Sequence, residues 1–297
     1  MKLSEMHEWL SARGIQLTKS LGQNFLHDGN QLRRIVEAAE LTRTDRVLEI
    51  GPGLGPLTEL LLAKAGEVLA IEKDARLVEI LQERFSLALA SQLPGDKDQS
   101  AVASGAPALR LIHDDALEFV RRGPQDWSRW KLVANLPYSV ASPILIELAQ
   151  MRGRPECMVV TLQSEVAQRL MAEPSDKDYG VLTLLIQLDY EPRRWFKIPA
   201  SCFFPAPNVD SACVVLKRRT KAPLADELRD VFMKIVKRAF SQRRKMMAKL
   251  LKADWPEERL LTAFKAIGLQ TRTRAEAVGL EPFVRLTQIL SAPSNRS

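Results

Sequence analysis

The feature that most constrains the fold of this 297-residue chain is a glycine-rich turn between a short apolar strand and a helix. The strand pattern Arg46–Ile50 runs directly into Gly51-Pro-Gly53-Leu-Gly55, and a helical pattern follows over Leu57–Lys64. Glycines let the backbone turn tightly and approach a ligand closely. A second strand pattern, Glu67–Ile71, comes next. This order of strand, turn, helix and strand favours a parallel sheet.

The same alternation continues along the chain. Helices are predicted at 30–41 and 143–151, and further strands at 108–112, 131–134, 156–162 and 209–217. The pattern predicts an α/β fold with a mainly parallel, doubly wound sheet. Between Gln92 and Pro107 the sequence is rich in Gly, Pro, Ser, Ala and Asp without periodicity, which indicates a mobile surface insertion that carries no chemistry.

The pattern beyond the last predicted strand is entirely helical. Helices are predicted at 226–240, 243–252, 257–267 and 282–290, with Gly268 and Gly279 as stops and Pro256 and Pro282 as starts. We therefore expect two domains, 1–220 and 221–297, of which the second is smaller and all-α.

Positive charge is concentrated in one segment. The chain has a net charge of +7, and Lys217–Lys252 carries 13 Lys and Arg against 3 Asp and Glu. A localised cationic face suits a polyanion such as RNA. The alternative is a solvated helix surface.

Several classes of protein are disfavoured by composition. No window approaches the roughly 18 apolar residues of a membrane span, and the first residues include Glu5 and Glu8, so we expect a cytoplasmic protein without membrane association. Three scattered cysteines, Cys157, Cys202 and Cys213, lack CxxC spacing, which argues against disulfides and a zinc site. We expect no metal.

Glu72 lies at the end of the strand after the glycine turn, where a carboxylate can accept hydrogen bonds from both ribose hydroxyls of a nucleoside cofactor. The dinucleotide spacing is disfavoured, because Pro56 stands where its third glycine belongs. The spacing instead resembles the first motif of class I S-adenosylmethionine methyltransferases. Asp115 matches the acid that those enzymes direct at the cofactor's adenine; Asp114 is an alternative, and a helix N-cap is possible for either.

Asn135-Leu136-Pro137-Tyr138 (NLPY) begins at the end of the fourth predicted strand, where an open α/β sheet binds its ligand. The N6 of adenine is a poor nucleophile because its lone pair is delocalised into the ring. A site must therefore accept hydrogen bonds from its two N–H groups and so pull the nitrogen toward a tetrahedral geometry. The Asn135 side-chain oxygen and the Leu136 carbonyl can do so. Pro137 stiffens the turn and has no N–H, and Tyr138 can stack on an extruded base. An ordinary Asn-x-Pro turn is the alternative.

A second unusual segment is Phe203-Phe204-Pro-Ala-Pro207, which holds two aromatic rings just before a strand. One ring, Phe203 by preference, can close the other face of a flipped adenine. Filling the core is the alternative for both rings.

Taken in order, these motifs resemble those of the small-subunit (16S) ribosomal RNA adenine N6,N6-dimethyltransferases. The matching segments cover most of the chain and are 19–26 (KSLGQNFL), the GPGLG turn, Glu72, Asp115-Ala-Leu, NLPY, 203–211 (FxPxPxVDS) and 239–245 (AFSQRRK). The sequence departs from the family pattern in the 92–107 insertion and in Met246-Met247, where a threonine is expected.

The resemblance implies a Rossmann-like class I methyltransferase fold and a role in ribosome biogenesis. It implies that the S-adenosylmethionine pocket is lined by Asn24, Leu26, Gly51, Glu72, Asp115 and Asn135, and that two adjacent adenines near the 3′ end of the small-subunit RNA are each dimethylated. We expect 16S RNA in the small subunit or its precursor as partner, phosphate contacts from Arg243, Arg244 and Lys245, and a monomeric chain.

The chemistry expected is an in-line transfer governed by proximity and orientation, without a strong general base. None of the three histidines, His7, His27 and His113, has a catalytic spacing. Three other functions stay open: a methyltransferase of the macrolide-resistance type acting on large-subunit RNA, a non-catalytic RNA-binding assembly factor, and a nicotinamide dehydrogenase. The Leu of NLPY, the VDS extension and the helical C-terminus favour the small-subunit enzyme.

Overall fold

The computed structural model describes residues 1–17, 23–89, 108–123 and 126–292, so the predicted insertion at 92–107 lies outside the described residues. The chain forms two compact units, one from Met1–Ala167 and Pro192–Arg218, the other from Gln168–Glu191 and Arg219–Ser297. The C-terminal part of the second unit begins at Arg219, close to the domain boundary expected at 220–221. It also takes in 168–191, which the sequence analysis assigned to the first domain.

Helices and strands alternate through most of the chain. In order they are α1 (Leu3–Ala12), β1 (Phe25–Leu26), α2 (Gly29–Ala38), β2 (Arg46–Ile50), α3 (Pro56–Leu62), β3 (Glu67–Glu72), α4 (Ala75–Arg84), β4 (Ala108–His113), α5 (Ala116–Arg122), β5 (Trp130–Asn135), α6 (Ala141–Gln150) and β6 (Cys157–Gln163). There follow α7 (Ser164–Met171), α8 (Val181–Gln187), β7 (Tyr190–Ile198), β8 (Phe203–Phe204), β9 (Ser211–Arg218), α9 (Arg229–Ala239), α10 (Met247–Leu251), α11 (Glu257–Ala266) and α12 (Leu280–Ser291).

The large sheet has the strand order β4-β3-β2-β5-β6-β9-β7. Its first five strands are parallel, and β9 runs antiparallel to β6. Strands β2, β3, β5 and β6 are buried along almost their whole length, as their near-continuous apolar runs predict for a parallel sheet covered on both faces. The predicted fold class is therefore confirmed.

The second unit is held together by helices and by a buried ion pair. Phe232, Phe264 and Phe283 are almost fully buried in it. Arg229 donates to both oxygens of Asp189, at 2.5 and 2.6 Å, and the Asp189 side chain is 2% exposed.

None of the helices in the described part of the chain combines the length and the apolar run that crossing a bilayer requires.

Three predictions about the helical region were wrong in detail. The helix predicted from Arg243 begins only at Met247, because exposed turns occupy the residues before it and Met247 is the first buried side chain. Gly279 does not end a helix: it is the N-cap of α12. Pro282 accordingly lies inside the first turn of α12 rather than at its start.

Candidate active site

A pocket of about 210 Å³ lies at the carboxyl ends of the parallel strands of the first unit. Its wall comes from the segments that follow β2, β3, β4 and β5, and these supply Gly51 and Gly53, Glu72 and Lys73, Asp114 and Asp115, and residues 135–140. This edge of an open α/β sheet is where ligands bind. Gly51, Glu72, Asp115 and the NLPY residues are thus brought together, as their positions at strand ends predict, and Asn24, which the family resemblance implies, lies with them.

The glycine turn brings the backbone close to its neighbours. Gly51, Gly53 and Gly55 have φ of +67°, +61° and +80°, a region that side chains disfavour. A Cβ on Gly51 would lie 3.3 Å from the Pro137 ring, and a Cβ on Gly53 would lie 2.6 Å from the Phe25 ring. A side chain on Gly53 would therefore clash with β1, and one on Gly51 would contact the NLPY segment more tightly than packing normally allows.

Two buried carboxyl groups accept hydrogen bonds from the turn and from the helix that follows it. Glu72 accepts hydrogen bonds from the backbone N–H of Gly53 at 3.1 Å and of Asp74 at 2.9 Å, so it fixes the turn as well as lining the pocket. Its burial raises its pKa. Glu49, 1% exposed on β2, accepts a 2.7 Å hydrogen bond from Thr58, and burial raises its pKa to about 8. Burial thus makes both side chains harder to ionise than an exposed glutamate, and of the two only Glu72 lines the pocket.

Both aspartates of the β4–α5 turn line the pocket, and Asp115 also caps α5. One Asp115 oxygen accepts from the backbone N–H groups of Leu117 and Glu118 at 2.9 and 3.2 Å. The other accepts from Lys73 at 2.8 Å, and this hydrogen bond is the main reason that the pKa of Asp115 is lowered. The N-cap interpretation is therefore right, and contact with a cofactor's adenine remains a prediction.

Asn135 presents an unsatisfied acceptor. Its side-chain N–H group donates to the Asn24 carbonyl at 3.0 Å, which aims the amide oxygen the other way. That oxygen is buried and has no hydrogen-bond partner among the described residues. A buried polar atom without a partner costs about 1–3 kcal/mol and calls for an explanation. A ligand N–H donor would satisfy it.

The rest of NLPY is held firmly. The Leu136 N–H donates to the Thr161 carbonyl at 3.0 Å, whereas the Leu136 carbonyl has no partner within the described chain. The Tyr138 hydroxyl lies 2.5 Å from the Ser211 hydroxyl, and burial raises the pKa of Tyr138. The VDS serine therefore orients the tyrosine ring at the pocket wall.

Two predicted site residues do not line this pocket. Leu26 and Phe203 face each other in the short antiparallel pair β1–β8, and they are 2% and 3% exposed within the core of the first unit. The interpretation of Phe203 as the ring that closes on an adenine is corrected, because its side chain packs in the core. Phe204 is half-buried instead, and its ring centroid lies 4.3 Å from that of His7.

Three residues at or beside the pocket were not predicted from the sequence: two line it, and the third, Asp74, holds one of them. Lys73 and Gln23 both line it, and Gln23 donates at 2.9 Å to Asp74, which caps α4. An Asp two residues after Glu72, just before a helical pattern, is a recognisable N-cap signal. No local pattern indicates the pairing of Gln23 with Asp74, since 51 positions separate them.

The three predicted RNA-binding cations belong to the second unit. Arg243, Arg244 and Lys245 are exposed and lie in turns before α10. Arg243 donates at 2.8 Å to the Lys177 carbonyl. In the described residues, no group of three or more His, Cys, Asp and Glu side chains is arranged to hold a metal ion.

Comparison with known proteins decides the family. The family model for ribosomal RNA adenine dimethylases matches residues 14–292. The chain belongs to the ribosomal RNA adenine dimethylase family. This membership confirms the resemblance found in the sequence and makes the chain a methyltransferase, which rules out the dehydrogenase.

Relatives of this dimethylase agree over nearly the whole chain. Ribosomal RNA small subunit methyltransferase A of Geobacillus thermodenitrificans is 37% identical over 95% of this chain and 94% of its own. The protein of the same name from Magnetococcus marinus is 38% identical over 93% of each chain.

Solved structures share the fold. A dimethyladenosine transferase from Plasmodium falciparum aligns with a TM-score of 0.72 at 24% identity, over 88% of this chain and 95% of that one. The 23S rRNA methyltransferase ErmE aligns with a TM-score of 0.64 at 27% identity, over 90% of this chain and all of that one.

Proposed function

We propose that this dimethylase transfers methyl groups from S-adenosylmethionine to N6 of two adjacent adenines near the 3′ end of small-subunit (16S) ribosomal RNA, as a step of ribosome biogenesis. The observation that carries the proposal is the buried, unpartnered side-chain oxygen of Asn135 in the pocket wall. The exocyclic amino group of adenine can donate a hydrogen bond to such an oxygen.

The residues of the pocket fit S-adenosylmethionine. Glu72 retains acceptor capacity for a ribose hydroxyl beyond its backbone hydrogen bonds to Gly53, Lys73 and Asp74, since a carboxylate has about four acceptor positions. Gly51 and Gly53 keep the turn free of side chains, and Asp114 and Asp115 line the same pocket, where either carboxyl group would accept a hydrogen bond from the adenine amino group. When bound, S-adenosylmethionine supplies an electrophilic methyl group.

On the side of the substrate, the side-chain oxygen of Asn135 and the backbone carbonyl of Leu136 would accept hydrogen bonds from the two N–H groups of N6. These two hydrogen bonds would turn the nitrogen lone pair out of conjugation with the ring. Tyr138, held by Ser211, offers its ring to the face of the base. The protein thus acts through orientation, which can lower a barrier by several kcal/mol without a general base.

A second candidate substrate is an adenine in large-subunit RNA. The likeness to the 23S rRNA methyltransferase ErmE, at 27% identity, favours it. The relatives that are 37% and 38% identical carry the small-subunit name, which supports the first proposal. With 16S RNA as partner, in the small subunit or its precursor, we propose a cytoplasmic, monomeric enzyme.

The deciding experiment supplies methyl-labelled S-adenosylmethionine together with either undermethylated small subunits or naked large-subunit RNA. We expect label only in small-subunit RNA, recovered after nuclease digestion as dimethyladenosine from two adjacent positions. Label found only in large-subunit RNA would mean that the substrate is an adenine in that RNA instead. No transfer to either RNA would leave a non-catalytic assembly factor.

A further inference from the structure

The VDS segment, residues 209–211, brings a hydroxyl group to the wall of the pocket. Strand β9 runs antiparallel to β6, so it begins at the edge of the sheet where the parallel strands end. Ser211, the first residue of β9, pairs with Gln163, the last residue of β6. Its side chain is fully buried, and its hydroxyl lies 2.5 Å from that of Tyr138.

The backbone next to Ser211 is held on two sides. The Ser164 N–H, at the start of α7, donates to the Asp210 carbonyl at 3.0 Å. The Ala200 N–H, between β7 and β8, donates to the Asp210 carboxylate at 3.1 Å. Tyr138, by contrast, lies in a turn after β5. Its hydrogen bond to Ser211 therefore ties a turn to a fixed point of the sheet.

This hydrogen bond fixes the direction of the Tyr138 side chain. A side chain on a turn has three staggered χ1 positions to choose from, and a partner for its far end selects one of them. Within the described chain, the hydroxyls of Tyr138 and Ser211 have only each other as partners. Burial raises the pKa of Tyr138, so its hydroxyl stays protonated at neutral pH and does not act as a base. The hydroxyl is thus an anchor for the ring.

The two methyl transfers to one adenine differ in how the base can be held. Before the first transfer, N6 has two N–H groups for the Asn135 oxygen and the Leu136 carbonyl. Before the second, it has one methyl group and one N–H, so only one of these oxygens can still accept from it. The nitrogen lone pair then attacks the donor's methyl carbon, the bond from this carbon to sulfur breaks with its electron pair left on sulfur, and the last N–H proton passes to water.

We propose that the hydrogen bond between Tyr138 and Ser211 positions the monomethylated adenine for the second transfer, which makes Ser211 a positioning residue of the reaction. With one hydrogen bond to N6 lost, the orientation of the base depends more on the ring against which it stacks. The inference rests on the proposed function, since it requires Tyr138 to stack on the target adenine. Without the anchor, the second transfer should slow more than the first, and monomethyladenosine should accumulate.

The test follows both products over time in Tyr138→Phe, Ser211→Ala and the double variant Y138F/S211A. Monomethyladenosine and dimethyladenosine are separated after nuclease digestion of the RNA that the unmodified chain labels. We expect each single variant to slow the second transfer by about 3- to 10-fold, the effect of one hydrogen bond, and the first transfer by less. The double variant should be no slower than either single one, because all three lack the same bond.

These variants also distinguish an anchor from a proton acceptor. Ser211→Ala keeps the Tyr138 hydroxyl, whereas Tyr138→Phe removes it and keeps the ring. An anchoring role predicts equal effects on the second transfer. A much larger effect of Tyr138→Phe than of Ser211→Ala would mean that the hydroxyl itself takes part in the chemistry, and it would overturn the inference.

The matched control is Tyr179→Phe in the second unit. It removes a buried hydroxyl that donates at 2.8 Å to the Val278 carbonyl. We expect it to lower thermal stability, as Tyr138→Phe does, and to leave the ratio of the two products unchanged. The same shift in this ratio for the control, or no shift for Tyr138→Phe and Ser211→Ala, would overturn the inference.

The unmodified chain is first assayed on small subunits and on large-subunit RNA, and the variants are then assayed on whichever RNA accepts label. A different substrate therefore leaves the test in force. If neither RNA is labelled, the proposed function fails, and the role of Ser211 in transfer fails with it. If the unmodified chain forms dimethyladenosine and the variants match its product ratio, the inference alone fails.

Discussion

At the scale of single residues, the two ends of the Asn135 side-chain amide have different roles. Its N–H group donates a hydrogen bond to the Asn24 carbonyl, and its oxygen has no partner among the described residues and is available to a substrate. Asn135→Ala should lower the rate of methyl transfer by about 100- to 1000-fold, the loss typical when one group that stabilises a transition state is removed. Single-turnover transfer measures it, with RNA affinity and thermal unfolding as controls. Near-normal turnover would contradict the assigned role.

Glu49 predicts a pH dependence of stability. Burial raises its pKa from 4.5 to about 8, so the folded chain holds a proton that the unfolded chain releases. The stability from this proton is complete below pH 4.5 and is lost as pH rises towards 8. Glu49→Gln keeps an acceptor for Thr58 and carries no charge. We expect this variant to gain stability over the original chain as pH rises across this range.

Urea unfolding at several values between about pH 5 and about pH 8.5 measures that difference. The other titrating groups are common to both proteins, so their contributions cancel in the comparison, except that of Glu72, whose charge repels that of Glu49. A constant difference in free energy across the range would show that Glu49 titrates normally in the folded chain.

At the scale of elements, the turn between β2 and α3 depends on a glycine for two separate reasons. Gly53 has φ +61°, and a Cβ there would lie 2.6 Å from the Phe25 ring. Gly14, in the same unit, has φ +59° with nothing within 4 Å of its would-be Cβ. Gly14→Ala should therefore cost only the backbone strain, about 1–2 kcal/mol.

Gly53→Ala should cost more than Gly14→Ala, because Phe25 must also move, and it should weaken binding of S-adenosylmethionine, since Phe25 lines the pocket. Chemical denaturation and titration calorimetry give the two quantities. Equal losses of stability in the two variants would mean that the Phe25 ring yields without cost.

Strands buried on both faces were predictable, whereas a partly exposed edge strand and the first helix were not. The bounds predicted for β2 agree with the structure, because a continuous apolar run between turn residues has few alternatives. Strand β7 was missed, since Pro192 and a run of cations obscure a strand that is half solvent-facing. Helix α1 was missed because only Met6 and Leu10 of its ten residues are buried.

The same reasoning explains which site residues could be foreseen. Gly51, Glu72, Asp115 and Asn135 follow parallel strands, and such positions converge at one edge of the sheet. The burial of Leu26 and Phe203 follows from a two-residue antiparallel pair between segments far apart in sequence. No periodicity predicts so short a pairing, so a stacking role for Phe203 looked plausible from composition alone.

At the scale of the whole molecule, a net charge of +7 hides large differences between cations. Lys234 and Arg238 both pair with Asp254, at 3.0 and 2.6 Å. Arg244 and Lys245 are exposed, and they have no ion-pair partner among the described residues. The first two cations are partly neutralised, whereas the last two offer their charge to solvent and to any polyanion.

This contrast predicts different salt dependences for variants that remove the same formal charge. R244Q/K245Q should lower the slope of log RNA affinity against log salt by about 1.4, if each cation contacts one phosphate of a single strand. K234Q/R238Q should lower it less, because those side chains must leave Asp254 before they reach a phosphate. Anisotropy titrations over a range of salt measure both slopes. Equal slopes would mean that RNA responds to the overall field of the protein, and the turn before α10 would then have no special role in binding.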